Sequence, residues 1–233
     1  MLPVTPRVGM TLGRPRLHLR AIGSTNDRAR ELAAAGAPHG TLVTAGEQLA
    51  GRGRQGRTWT APAGRALLMS LVLRTADPLL PLRAGLAVAD VAGPDARVKW
   101  PNDVLLEGRK VAGVLVEARP HDGWAVLGIG FNAAVELDTL PEEVRARAAT
   151  LGRPPSALEA TLAELLAALQ DRLAEPAESA LTALRERDAL VGRPIRWEGG
   201  EGTAAGIAAD GALRVRTPAG ETRLAAGEVH LAR

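Results

Sequence analysis

Short apolar runs of strand length alternate with segments of helical periodicity, and this order constrains the fold more than any other feature of the sequence. Each short run is apolar or alternating and is bounded by turn residues, which predicts strands at 17–22, 41–45, 66–74, 98–106, 111–117 and 124–129. No apolar run approaches the roughly 20 residues that a membrane-spanning helix needs. The pattern therefore predicts a globular protein with both strands and helices.

Four helices are predicted between and after these strands, at 24–35, 79–91, 158–173 and 178–190. Ser24 and Asp27 have the spacing of a capping pair at the start of the first helix. Ser156 and Glu159 form a similar capping box before the third.

The character of the sequence changes at Val191. Five short alternating runs follow, separated by turn signals such as Asp210-Gly211. We predict that this segment forms a small barrel docked on the larger domain, because so short a segment buries little apolar surface by itself. The predicted domains are residues 1–190 and residues 191–233.

Rare residue types narrow the kinds of site that the chain can hold. The chain has no cysteine, which excludes disulfides and thiolate metal sites and fits a cytoplasmic protein. Its four histidines lack ligand spacing, so a zinc site is not expected. Only two of its 29 Lys and Arg residues are lysines, Lys99 and Lys110, and it has three asparagines, Asn26, Asn102 and Asn132. All five fall in the segments described next, which marks these segments as candidates for function.

Residues 46–64 lack periodicity and contain Gly-Arg-Gly-Arg-Gln-Gly-Arg-Thr-Trp at 51–59. The spacing matches a dinucleotide-binding loop and nearly a Walker loop, but both must open a helix, and the residues after Trp59 cannot form one. Glycines allow close backbone approach, and arginines bind carboxylates and phosphates in pairs. We predict a mobile loop that closes over a substrate carrying both groups. A solvated basic loop and an RNA-binding segment are the alternatives, although RNA stacking needs more aromatic residues.

A second segment reads Val-Lys-Trp-Pro-Asn-Asp-Val at 98–104, followed by Gly-Arg-Lys-Val-Ala-Gly at 108–113. The proline keeps the residue before it extended, which places Asn102 and Asp103 at an irregularity of the strand. There an amide can read a base edge and a carboxylate can face a metal-bound phosphate or a lysine. Lys110 could direct its ammonium at a carboxylate. The alternative is a plain Asn-Asp turn beside an exposed lysine.

Two shorter segments are weak signals when each is taken alone. Ser24-Thr25-Asn26 is typical of a helix cap, but it can also offer donors and acceptors to a small polar ligand. Residues 128–132, Gly-Ile-Gly-Phe-Asn, end a strand with close backbone approach.

Together and in this order, the segments resemble the motifs of biotin protein ligases. The resemblance covers about residues 17–135, and its most specific part is the Gly-Arg loop combined with the Lys-Trp-Pro-Asn-Asp segment. It implies an α+β fold of the class II aminoacyl-tRNA synthetase/biotin ligase type, with a mixed β-sheet, flanking helices and an SH3-like C-terminal barrel. It also implies an enzyme that uses ATP and Mg²⁺ to convert biotin to biotinyl-5′-AMP. The biotinyl group would then pass to a lysine of a biotin carboxyl carrier protein.

The same resemblance implies roles for individual residues. Those expected around biotin are Ser24, Thr25, Asn26, Gln48, Arg52, Gly53, Arg54, Lys110 and Gly113. Those expected around ATP are Arg54, Arg57, Trp59, Asn102 and Asn132, with Trp59 covering the adenine. The residues expected to act on the reacting groups are Lys110, Arg54, Asp103 and Lys99, and Asp103 could contact Mg²⁺ brought by ATP.

Larger members of that family carry an N-terminal DNA-binding domain, for which too few residues precede the first predicted strand. We therefore expect no DNA binding, no membrane association and a cytoplasmic location, and a homodimer is left open. One alternative function is a ligase or transferase for lipoate or octanoate. Others are a biotin sensor without a transfer step and a non-catalytic nucleic-acid-binding protein.

Overall fold

The computed structural model describes residues 12–75 and 77–232. Seven strands form one sheet: β1 (Arg16–Leu19), β2 (Leu42–Ala45), β3 (Leu67–Leu73), β4 (Arg97–Lys99), β5 (Asp103–Leu106), β6 (Arg109–Arg119) and β7 (Trp124–Phe131). Their order across the sheet is β1-β2-β3-β7-β6-β5-β4. The strands β1 and β2 are parallel, and every other neighbouring pair is antiparallel. The prediction of a mixed sheet is confirmed.

The helices are α1 (Thr25–Ala34), α2 (Leu80–Ala92), α3 (Glu142–Arg145), α4 (Leu158–Ala174) and α5 (Ala177–Glu186). Four of them were predicted, and the one-turn α3 was not. Ser24 caps α1 as expected, because its side chain accepts a hydrogen bond from the Asp27 N–H. In the part of the chain that the structure describes, no helix combines the length and the apolar character needed to cross a bilayer.

Three details of the prediction are wrong. The run 98–106 is two strands, β4 and β5, which pair antiparallel around a turn at residues 100–102. The expected capping box is not formed: Ser156 lies in a 3₁₀ turn, and among the described residues no side chain caps α4. The helix α5 ends at Glu186, because the following backbone pairs with β4 through Val98.

Alternate residues of the sheet face two different layers, as the period of two in a strand requires. Leu71, Leu73 and Leu127 belong to the large core under α2, α4 and α5. Val72 and Val126 point the other way, into a smaller cluster with the alanines of α1. The helix α1 therefore covers one face of the sheet and the other three long helices cover the opposite face.

A second sheet contains β8 (Pro194–Trp197), β9 (Gly200–Ile207), β10 (Leu213–Thr217), β11 (Gly220–Leu224) and β12 (Val229–Leu231). It is antiparallel, in the order β11-β10-β9-β8-β12. All five strands were predicted. The closed barrel was not found, since within residues 194–231 the edge strands β11 and β12 do not pair with each other. The domain boundary at residues 190 and 191 stays a prediction.

The second sheet contacts the first domain beside the Lys-Trp-Pro-Asn-Asp segment. The buried indole of Trp100 donates a hydrogen bond from Nε1 to the Gly211 carbonyl at 3.0 Å. Gly211 has a φ of +85°, and a Cβ there would lie 2.8 Å from the Leu79 side chain. Only glycine suits this turn between β9 and β10, both for its backbone and for its closeness to Leu79.

Candidate functional site

One cavity of about 720 Å³ lies on the α1 side of the large sheet, beneath the Gly-Arg loop. Every residue that the sequence predicted for the site lines it: Ser24, Thr25, Asn26, Gln48, Arg52, Gly53, Arg54, Arg57, Trp59, Lys99, Asn102, Asp103, Lys110, Gly113 and Asn132. The cavity thus brings Lys110 and the Gly-Arg loop together. The role of each residue remains a prediction.

One end of the cavity is polar and formed by uncharged groups. Both the backbone N–H and the hydroxyl of Thr25 lie within hydrogen-bonding distance of Gln48 Oε1, at 2.7 and 2.9 Å. Ser70 Oγ lies 2.8 Å from Thr25 Oγ1 and 2.6 Å from Asn26 Oδ1. These groups, of which Thr25, Asn26 and Ser70 are buried, are held by one another, which keeps their positions defined before any ligand binds.

Asn26 is clamped between two elements of the sheet. Its Nδ2 donates to Glu117 Oε2 at 2.8 Å, and its Oδ1 accepts from Ser70 on β3. The backbone of β7 passes so close that a Cβ at Gly128 would lie 2.0 Å from Asn26 Oδ1. Ser70 and Glu117 were missed by the sequence analysis. A signal existed for Ser70, because it is the one polar residue of β3, and a buried polar side chain needs a partner.

Two lysines and one carboxylate form the charged centre. Lys110 Nζ lies 2.6 Å from Asp103 Oδ1, and Lys99 pairs with Asp103 in the register of β4 and β5. Burial lowers the pKa of Lys99 below its ordinary value, against the opposing charges of Asp103 and Glu228. In the described ranges Lys99 forms no ion pair or side-chain hydrogen bond, so its charge remains available to an anionic ligand.

The Gly-Arg loop folds back on itself over the cavity. An isolated bridge joins Arg52 to Thr58, and the Gly53 N–H donates to the Arg57 carbonyl at 2.6 Å. A short 3₁₀ turn, Arg54–Gly56, forms its tip. The predicted long loop is confirmed, and its ligand-dependent closure stays a prediction.

The three arginines of the loop point to different places. Arg54 donates to Asn102 Oδ1 at 3.3 Å, and burial lowers its pKa from the ordinary value. Arg57 forms an ion pair with Glu228, just before β12. Arg52 is paired with Asp27 at 2.7 Å and with a second carboxylate, that of Glu117. Of the three, Arg54 has the guanidinium beside the charged centre.

Trp59 lies flat on the sheet. A Cβ at Gly130 would be 2.3 Å from its indole, and one at Gly113 would be 3.2 Å from it. These two glycines are paired across β6 and β7, so together they leave the space that the ring fills. The Lys110 ammonium lies 5.5 Å from the ring centroid, a cation–π distance. The buried indole Nε1 has no hydrogen-bond partner among the described residues. Contact of Trp59 with adenine stays a prediction.

Both remaining asparagines are anchored by backbone carbonyls. Asn102 Nδ2 donates to Val114 O at 2.8 Å, which leaves its Oδ1 facing Arg54. Asn132 Nδ2 donates to Ala149 O at 3.0 Å. Their amides are fixed in orientation, and their contacts with a nucleotide stay predictions.

The second sheet also contributes to the cavity, which the sequence analysis did not foresee. Glu228, His230 and Leu231 line its wall, as does Arg147 from the segment after α3. The last of the five short alternating runs, near residue 230, predicted only a strand. No local pattern could reveal its approach to the Gly-Arg loop, because that contact depends on how the two sheets pack.

The charges of the lining favour an anionic ligand. Arg54 lies beside the charged centre, which itself contains Lys99 and Lys110, whereas the acidic lining residues are Asp103 and Glu228. Both carboxylates are paired with cations. The described chain holds no group of three or more His, Cys, Asp or Glu side chains that could bind a metal ion. A magnesium ion that keeps phosphate and water ligands would fit this arrangement, since Mg²⁺ is often bound through only one or two carboxylates.

Comparison with known proteins identifies the family. Residues 19–132 match the model of the biotin/lipoate A/B protein ligase family, and residues 191–231 match the biotin protein ligase C-terminal domain. The biotin--[acetyl-CoA-carboxylase] ligase of Paracoccus denitrificans is 38% identical, over 88% of this chain and 96% of its own. The bifunctional ligase/repressor BirA of Bacillus spizizenii is also 38% identical, over 61% of this chain, but the alignment spans only 47% of that relative.

The solved structure of biotin protein ligase from Aquifex aeolicus in complex with biotin and ATP has the same fold. The TM-score is 0.81, with 27% identity, over 94% of this chain and 99% of that one. The fold, the two family models and the 38% identity with the Paracoccus denitrificans relative over nearly the full length of both chains agree. The chain belongs to the biotin protein ligase family.

Proposed function

We propose that this protein uses ATP to activate biotin as biotinyl-5′-AMP and transfers the biotinyl group to a lysine of a biotin carboxyl carrier protein. The observation that carries the proposal is the polarity of one cavity. Its uncharged end at Thr25, Asn26 and Gln48 suits the ureido head group of biotin, and its cationic end at Arg54 and Lys110 suits a carboxylate and phosphates. The Paracoccus denitrificans relative is by name a ligase that joins biotin to acetyl-CoA carboxylase.

In the first step, a carboxylate oxygen of biotin attacks the α-phosphorus of ATP, and pyrophosphate leaves with the bonding electron pair. Two anions must approach each other, so cations fixed beforehand lower the barrier. Lys110 and Arg54 are placed to offset this repulsion. Mg²⁺ bound to the phosphates would supply further positive charge, with Asp103 and Glu228 as the acidic side chains that could hold it.

In the second step, the amine of the carrier lysine attacks the acyl carbon, and AMP leaves. The amine must be neutral to act as a nucleophile. Asp103 is the carboxylate at the charged centre, and it can orient the incoming amine or accept its proton. The Gly-Arg loop above the cavity would exclude water from the mixed anhydride until the carrier binds.

The test is a reconstitution with ATP, Mg²⁺, biotin and an apo carrier domain, read by mass spectrometry of the carrier. We expect the carrier to gain one biotinyl group, and we expect pyrophosphate and biotinyl-5′-AMP in a reaction without carrier. Parallel reactions with lipoate and octanoate should give neither. Pyrophosphate release with lipoate alone would favour lipoate ligation, and biotinyl-5′-AMP without carrier modification would favour a sensor. Absence of pyrophosphate with every acid would overturn the proposal.

A further inference from the structure

Glu117 lies on β6, outside the set of residues that line the cavity, yet it contacts Asn26 at the uncharged end of the cavity and Arg52 at the start of the Gly-Arg loop. Its side chain is 20% exposed. One carboxylate oxygen, Oε2, accepts from Asn26 Nδ2 at 2.8 Å. The other, Oε1, lies 3.2 Å from Arg52 Nη1 and 3.3 Å from Arg30 Nη1. One residue therefore joins helix α1, strand β6 and the start of the Gly-Arg loop.

The first contact determines which way the Asn26 amide faces. An ionised carboxylate can only accept hydrogen bonds, so the amide must present its NH₂ group to Glu117. Its oxygen then faces Ser70, the arrangement seen at 2.6 Å. A neutral glutamine at 117 could donate as well as accept, and both orientations of the Asn26 amide would become available.

The second contact holds the beginning of the Gly-Arg loop. Arg52 bridges Glu117 and Asp27, with 2.7 Å between its Nη1 and Asp27 Oδ1. The hydrogen bonds that Arg52 donates to Asp27 and Glu117, together with the negative charges of these carboxylates, raise the pKa of Arg52. A backbone bridge also joins Arg52 to Thr58, so the contacts that hold Arg52 also hold the base of the loop.

We propose that Glu117 is a positioning residue that couples recognition of the uncharged biotin head group at Asn26 to closure of the Gly-Arg loop. This inference rests on the proposed function. Loss of the carboxylate charge frees the Asn26 amide and at the same time leaves Arg52 with Asp27 as its one remaining carboxylate partner among the described residues. The head-group contact and the closed loop are then weakened together, although Glu117 touches neither biotin nor the reacting atoms.

The test compares Glu117→Gln with wild-type enzyme in three measurements. Because the variant loses hydrogen bonds to a charged group, we expect the KM for biotin to rise roughly tenfold and preformed biotinyl-5′-AMP to be released roughly tenfold faster. The kcat for carrier modification at saturating biotin should change less than about threefold, on the same reasoning. Glu159→Gln is the matched control, because Glu159 also pairs with an arginine, Arg16, outside the cavity.

A double-variant cycle tests the coupling itself. Arg52→Gln should speed the release of biotinyl-5′-AMP by a similar factor. The double variant should release it little faster than either single variant, because both changes break the same contact, that between Glu117 and Arg52. Equal effects of Glu117→Gln and Glu159→Gln would overturn the inference, as would additive effects in the cycle. If the wild-type enzyme forms no biotinyl-5′-AMP, the proposed function itself is refuted. If the wild-type enzyme is active and Glu117→Gln has the same KM for biotin and the same release rate, only this inference is refuted.

Discussion

Lys110 and Asp103 meet on the cavity face of the sheet because the pairing of their two strands, β6 and β5, is irregular. The register of β5 and β6 shifts between Val104 and Leu105, so that Val104 pairs with Ala112 and Leu105 pairs with Lys110. The additional residue in β6 is Val111, which is buried in the core. A regular pairing would turn Lys110 to the opposite face, since side chains alternate along a strand. The bulge instead directs Lys110 at Asp103, with 2.6 Å between Nζ and Oδ1.

Replacing Lys110 by methionine should block the first half-reaction. Methionine keeps most of the aliphatic stem beside Trp59 and removes the charge. Loss of one fixed donor from a charged transition state commonly costs about 100-fold in rate, and we expect that loss in pyrophosphate release. Arg119→Met, at the exposed end of the same strand, is the control and should stay within twofold or so on the same scale. Near-normal biotinyl-5′-AMP formation by Lys110→Met would contradict the assignment.

Asp103→Asn should separate the two half-reactions. Asparagine has nearly the same shape but cannot accept a proton at neutral pH. A lost general base commonly lowers a rate by a factor of about 100 or more, and we expect this in carrier modification from isolated biotinyl-5′-AMP. Pyrophosphate release should fall much less, because Lys110 is retained. If both rates fall by the same factor, Asp103 acts only through the position of Lys110.

Gly130→Ala should move the Trp59 indole off the sheet. The new methyl group would lie 2.3 Å from the ring, too close for any side chain to tolerate. Overpacking of this kind costs about 1–3 kcal/mol, and we expect a red-shifted Trp59 emission and weaker ATP binding. Emission is assigned to Trp59 by repeating the measurement with Trp59→Phe, since the chain has four tryptophans. Gly23→Ala is the control, because a Cβ at Gly23 meets nothing within 4 Å.

Trp100→Phe should weaken the attachment of the second sheet. The variant loses the 3.0 Å hydrogen bond to Gly211 and leaves that carbonyl without its partner, which costs about 1–3 kcal/mol. We expect a lower urea midpoint and a raised KM for ATP, because Asn102 and Asp103 follow directly in the chain. Trp197→Phe, on β8, provides the comparison for loss of an indole elsewhere. A lower urea midpoint with an unchanged KM would show that the contact has only a structural role.

Acidification should destabilise the protein through His39. Burial, and then the charge of Arg74, lower the pKa of His39, whose Nδ1 accepts a hydrogen bond from the Arg74 N–H. In the unfolded chain histidine gains its proton near pH 6.5, before the folded protein does. Stability is therefore lost as the pH falls from about 6.5 towards the lower folded pKa. Urea midpoints at about pH 7.5 and 5.5 should diverge more in wild type than in His39→Asn. Equal divergence would exclude His39 as the cause.

Local sequence patterns predicted most of the strands and helices, and motif spacing predicted a set of residues that the structure brings to one cavity. The alternation of apolar runs located β3, β6 and β7, and the spacing of Ser24 and Asp27 located the start of α1, because these signals depend on neighbouring residues. Motif spacing brought Lys99, Asn102 and Lys110 into one hypothesis, and the structure places all three at one cavity.

The orientation of those residues and the side chains that support them depend on tertiary packing. The bulge at Val111 determines the face on which Lys110 lies, and a one-residue change of register leaves no mark in the hydrophobic pattern. Glu117 and Glu228 contact the Gly-Arg loop across 65 or more positions of sequence. Such contacts arise from packing of strands and sheets that are distant in the chain, and no local pattern contains that information.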